Sequence, residues 1–104
     1  MISHQKTVYH LQSARVRKHG AVYTHVEITI IDPATVRAVF GYQRTVKPVW
    51  GREATETIID DNTELEITGD NIPHDLLDHN GEFRPFRLDI FARQLARRFA
   101  SQKD

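Results

Sequence analysis

Apolar and polar side chains alternate most clearly between Val22 and Ile31. Val22, Val26, Ile28 and Ile30 alternate with Tyr23, His25, Glu27 and Thr29, the period of two that marks a strand with one buried face. His19-Gly20 lies just upstream and suits a tight turn, because glycine accepts a positive φ. Residues 6–32 are therefore predicted to form a β-hairpin. A two-residue loop at His19-Gly20 pairs Arg17 with Val22, Leu11 with Ile28 and Tyr9 with Ile30. The core face then holds Tyr9, Leu11, Val22, Val26, Ile28 and Ile30. The other face holds His10, Gln12, His25, Glu27 and Thr29, with Val8, Val16, Tyr23 and Ile31 around them.

Asp32-Pro33 reads as a helix start, with Asp as cap and Pro in the first turn. Val36, Val39 and Phe40 follow at helical spacing and Gly41 can end the element, which predicts a short helix near 33–40. Residues 42–50 read as a strand that Pro48 confines to an edge or a strand end. Residues 54–69 read as a second hairpin turning at Asp61-Asn62. Ile58, Leu65 and Ile67 share its core face with Ala54 and Glu56. Residues 70–81 are a loop with one turn after Pro73, closed by Asn80-Gly81.

The last element carries the strongest pattern. Leu88, Phe91, Ala92, Leu95 and Phe99 fall at i, i+3, i+4, i+7 and i+11, one apolar stripe on a helix over residues 85–100. Arg97, Arg98 and Lys103 at its end, and Asp89 near its start, suit the helix dipole. The predicted class is α+β. Two antiparallel hairpins form one sheet of four or five strands, with a short helix near 33–40. The C-terminal helix packs across one face and buries its stripe against Ile28, Ile30, Ile58, Leu65 and Ile67.

Composition narrows the classes. A chain of 104 residues with 39% apolar and 27% charged side chains reads as one globular domain, residues 1–104. The absence of cysteine excludes disulfides, thiol nucleophiles, Cys-type zinc sites and iron–sulfur ligation. The N-terminus reads as no signal peptide and no apolar run is long enough for a bilayer, so the expected location is cytoplasmic, without membrane association.

The charge is zero overall but sorted by position. Residues 1–52 carry Lys6, Arg15, Arg17, Lys18, Arg37, Arg44, Lys47 and Arg52 against Glu27 and Asp32. Residues 53–82 carry carboxylates and no Lys or Arg. Residues 83–104 return to Arg84, Arg87, Arg93, Arg97, Arg98 and Lys103 against Asp89 and Asp104.

Candidate chemistry is sparse. His74, Asp75, Asp78 and His79 form two His/Asp pairs four apart if the segment is helical, a donor set suited to zinc or iron. The same residues equally describe a solvated polar turn. His10, Gln12, His25 and Glu27 share a strand face, and His with carboxylate is the raw material of acid–base catalysis. No nucleophile accompanies them. Ser3, Ser13 and Ser101 lie outside any Gly-x-Ser-x-Gly elbow, and the glycines are isolated, so no phosphate-cradling loop is present. No catalytic residue, metal ligand or cofactor is assigned.

On the C-terminal helix a second row, Phe86, Ile90, Arg93 and Arg97, runs opposite the core stripe. Aromatic and arginine side chains are enriched at protein interfaces. The expected function is a small non-enzymatic interaction domain that self-associates, as a two-fold homodimer, and binds a protein partner. Phe86, Ile90 or Trp50 would supply affinity, and Arg93 and Arg97 would reach rim carboxylates such as Glu64 or Glu66. The alternative is a nucleic-acid-binding module using Arg15, Arg17, Lys18, Arg93, Arg97 and Arg98 on phosphates. A second alternative is a metal-dependent enzyme built on the histidines.

Overall fold

The computed structural model describes residues 5–102. Its strands are β1 (Gln5–His10), β2 (Val16–Lys18), β3 (Ala21–Tyr23), β4 (His25–Asp32), β5 (Thr35–Val46), β6 (Ala54–Ile59) and β7 (Leu65–Thr68), followed by one helix, α1 (Pro85–Ser101). The class is α+β. Five strands form an antiparallel sheet in the order β1–β4–β5–β6, with β7 also on β5, and β2–β3 form a separate two-stranded ribbon.

The first hairpin forms in two parts. At the turn, His19 (φ 54°) and Gly20 (φ 77°) are both left-handed, the geometry of the two-residue turn that matches strand twist. Arg17 then pairs with Val22, as the spacing requires. Further out, Tyr9 pairs with Val26 rather than with Ile30. A single 3-10 turn, Gln12–Ala14, takes up the slack, and Gln12 itself has φ 54°. The slip is an even number of residues, so Tyr9 still faces the core side. The ribbon inverts, however: Val16 and Tyr23 are buried, while Val22 is half-buried.

No helix forms at 33–40. Asp32 pairs with Thr35 across a two-residue loop at Pro33-Ala34, and the Asp32 carboxylate accepts the Ala34 N–H at 2.8 Å. Asp followed by Pro opens a β-turn as readily as a helix. The β-branched residues beyond it decide in favour of strand. Val36, Ala38 and Phe40 then alternate inward along β5, and Gly41 lies within that strand instead of ending a helix.

The second hairpin is also replaced. β6 and β7 do not pair with each other; both pair with β5, β6 along residues 41–46 and β7 along residues 35–38. They form one broken strand along a single edge of β5. The 3-10 turn Asp61–Thr63 fills the break, capped by the Asp60 carboxylate on the Asn62 N–H. Thr63 carries the ladder across the gap. Its buried hydroxyl accepts the Phe40 N–H at 2.8 Å and donates to the Asp60 carbonyl at 2.7 Å.

α1 begins with Pro85 at its first turn and buries Leu88, Phe91, Ala92, Leu95, Ala96 and Phe99. These meet Val26, Ile28, Val36, Ala38, Phe40, Leu65 and Ile67 from the sheet, together with Leu11, Val16, Tyr23 and Leu76. Ile30 is only partly buried against this core, and Ile58 lies outside it because β6 pairs with the far half of β5. The Lys18 ammonium closes the helix end. It donates to the Phe99 carbonyl at 2.7 Å and the Gln102 carbonyl at 2.6 Å, satisfying carbonyls that a helix terminus leaves open. Lys103 lies outside the described residues. Asp89 sits past the first turn and bonds instead to the Tyr9 hydroxyl and Arg93. The loop between β7 and α1 turns at Pro73 and Asp78-Gly81 and closes on a Leu77–Phe83 bridge.

Candidate functional site

The helix, the β2–β3 ribbon and Leu76 of the loop before α1 all feed one core on one face of the sheet. The opposite face carries Lys6, Val8 and His10 on β1, His25, Glu27 and Thr29 on β4, and Arg37 and Val39 on β5. The slipped register brings His10 directly opposite His25, and their rings stack at 4.8 Å. Gln12 leaves the ladder, and Val8 lies opposite Glu27. Glu27 pairs with Lys6 at 3.5 Å, and the Thr24 hydroxyl shares a 2.8 Å hydrogen bond with His25 Nδ1.

Burial and the neighbouring His10 push the His25 pKa below its ordinary value. The unfolded chain therefore takes up a proton on this residue before the folded protein does. Its contribution to stability is present above about pH 6.5 and is lost as pH falls below it. Urea melts at a series of pH values should show that decline, and His25→Gln should flatten it. An unchanged profile in the variant would contradict the assignment.

The second histidine group does not assemble. Residues 74–79 are turn and bridge, so the i, i+4 pairing of His74 with Asp78 and of Asp75 with His79 is absent. Asp78 instead accepts the N–H groups of Asn80 and Glu82, and Asp75 pairs with Arg87 at 2.7 Å. Among the described residues no group of three or more His, Asp or Glu comes together as a metal-ligand set. A hollow of about 340 Å³ under this loop is lined largely by apolar residues, including Ile30, Val36, Ile72 and Leu76. Its titratable members are Asp32 and His74, and Asp32 already holds the Ala34 N–H. Volume alone does not make it the site, because no chemistry converges there.

Convergence occurs on the other side of α1. Arg15, at the entry to β2, meets Arg93 and Arg97 of α1 along an open groove of about 300 Å³. Ser13 adds a hydroxyl, and Ala14, Val16, Ala96 and Ala100 floor it. Small residues at 96 and 100 on a helix rich in arginine let the arm approach closely. Arg93 is held by Asp89 at 3.2 Å, and the Tyr9 hydroxyl donates to the same carboxylate. That hydrogen bond, aided by Arg93, keeps the Asp89 pKa below the usual carboxylate range.

The remaining basic candidates lie elsewhere. Lys18 is committed to the end of α1 and lies over the Phe99 ring at 4.9 Å. Arg17 points away from the helix, because Val16 and Lys18 on either side of it point toward it. Arg98 is exposed but does not line the groove.

No family model, curated protein or solved structure matches the chain. The site therefore rests on its own geometry. Of the self-association row, Phe86 is 71% exposed, Ile90 is half-buried, and Arg93 and Arg97 are exposed. Arg87 lies over the Phe86 ring at 5.9 Å. Val49 and Trp50 are 92% and 88% exposed at the tip of the β5–β6 connection. Part of the acidic middle segment is paired at home: Glu56 with Arg44 at 2.6 Å and Glu64 with Arg37 at 3.9 Å. Glu66 faces the open side of the sheet, across from Arg37. A helix-to-helix contact places neither Glu64 nor Glu66 against Arg93 or Arg97, since α1 covers the other face. No helix among the described residues is long and apolar enough to cross a membrane.

Proposed function

We propose that the protein is a small non-enzymatic interaction domain that self-associates through the outer flank of α1 and presents the assembled surface to a protein partner. The observation that carries this reading is Phe86, 71% exposed on a helix whose other face is already committed to the core. An aromatic ring left in water, followed at helical spacing by Ile90, Arg93 and Arg97, has the composition of an interface anchor. A closed two-fold contact lets one patch meet its own copy. With two α1 helices antiparallel and centred near Ile90, Phe86 of one copy lies beside Arg93 of the other. An aromatic face then meets a guanidinium, so the row complements itself.

Each Phe86, if fully buried, contributes about 1.5–3 kcal/mol. At the rim of the contact an exposed charged side chain adds about 0–1 kcal/mol. Arg97→Ala should therefore loosen the dimer only slightly. Light scattering over a concentration series tests the reading: twice the monomer mass by high micromolar concentration supports it, and a monomer throughout contradicts it. A cytoplasmic setting belongs to the same proposal and fits a chain without cysteine.

A further inference from the structure

The groove between β2 and α1 carries a second inference, which adds Arg15 to Arg93 and Arg97 of the helix row. We infer that Arg15, Arg93 and Arg97 form a binding site for successive phosphates of a single nucleic-acid strand. Three guanidiniums from two elements line one groove, and no Asp or Glu lines it. Arg15 and Arg97 have no carboxylate partner among the described residues, whereas Arg37, Arg44 and Arg87 are each paired with one. Arg15 and Arg97 therefore bring two unneutralised charges to the groove, and Arg93 brings one that it shares with Asp89. Arginine is also the side chain whose planar fork matches phosphate.

The spacing favours a chain of phosphates over a lone one. Arg93 and Arg97 are one helical turn apart, about 6 Å along the axis, close to the separation of neighbouring phosphates on one strand. Arg15 extends the row across the groove, and the Ser13 hydroxyl supplies a further donor. The apolar floor of alanines offers no hydrogen bond to a base edge, so the contact is to backbone and carries no sequence preference. The acidic segment stays out of the groove: none of its carboxylates lines it, and Glu56, Glu64 and Asp75 are each paired with an arginine elsewhere.

Anisotropy of a fluorescein-labelled single-stranded oligonucleotide, titrated at several NaCl concentrations, tests the site. Three phosphate contacts on a single strand give a slope of log K against log salt of about −2. Arg15→Ala and Arg97→Ala should each make the slope shallower by about 0.7 and weaken binding about tenfold at low salt. Arg17→Ala and Arg98→Ala, outside the groove, should leave the slope unchanged. All four side chains are exposed or outside the core, and circular dichroism checks that each variant is folded. Arg15 is not part of the Phe86 row, and Phe86→Asp should retain oligonucleotide binding, so the two proposals fail separately. The inference is overturned if the wild type shows no salt-dependent binding, or if Arg17→Ala is as damaging as Arg15→Ala. It is overturned too if phosphatidylserine vesicles bind in an Arg15-dependent way while the oligonucleotide does not.

Discussion

Phe99→Ala should destabilise the protein by about 3–5 kcal/mol, the range for removing a fully buried aromatic ring. Phe99 lies where three parts of the chain meet. Its ring stacks on Phe40 of β5 at 4.3 Å and meets Tyr23 of β3 edge-on at 5.1 Å. Lys18 of β2 crosses its outer face and caps the carbonyl of the same residue. Truncation opens a cavity between two aromatic neighbours and removes the cation–π contact with Lys18. The Tyr23 hydroxyl is tied to Asp60 at 2.9 Å, and burial with that bond raises its pKa to about 12, so Tyr23 is not free to collapse into the space. Chemical denaturation followed by circular dichroism measures the loss. Trp50, the single tryptophan, is 88% exposed and its fluorescence does not report the core. A loss under about 1 kcal/mol would mean that α1 does not join the β2–β3 ribbon to the sheet as described.

Gly41→Ala should cost about 1–3 kcal/mol although it adds a single methyl group. A Cβ at this position would stand 2.6 Å from the Ile58 carbonyl oxygen and 2.8 Å from Ile59 Cδ1. The Ile59 side chain can rotate, but the carbonyl belongs to the β5–β6 ladder and can move only with its strand. Gly41 is where β5 changes partners. Its pairing with β4 ends at His25, and its pairing with β6 begins at Ile59. Its own carbonyl also accepts the Thr24 N–H at 2.9 Å. Glycine at such a point permits the close backbone approach that any side chain blocks. Equal stability of the variant and the wild type would show that the edge strand yields more easily than its hydrogen bonds imply.

Local patterns were legible in the sequence, and distant pairings were not. The helix was readable because its stripe, from Leu88 to Phe99, repeats at helical spacing and nothing competes with it. The His19-Gly20 turn was readable because only certain residues tolerate two successive positive φ values. Asp32-Pro33 was ambiguous, since it opens turns and helices alike. The alternation of Val36, Ala38 and Phe40 was the signal favouring strand. The break between β6 and β7 was hidden because both strands pair with β5, so Asp61-Asn62 resembles a hairpin loop without joining paired strands. The slip at Gln12–Ala14 follows from a left-handed glutamine that composition does not flag.

The candidate site divides in the same way. Arg93 and Arg97 share a helix face by spacing alone. Their meeting with Arg15 depends on how the ribbon docks, which no local pattern encodes. Equally, nothing in the sequence separated Lys18, committed to the helix end, from Arg15, which lines the groove. The stacking of His10 on His25 depended on the register slip.

The most direct test of the interaction reading is sedimentation of the Phe86→Asp variant beside the wild type at the same high micromolar concentration. The account predicts a dimeric wild type and a monomeric variant whose circular dichroism spectrum is that of the folded protein, because Phe86 lies outside the core. A wild type that sediments as a monomer would contradict it, as would a variant that is unfolded rather than dissociated.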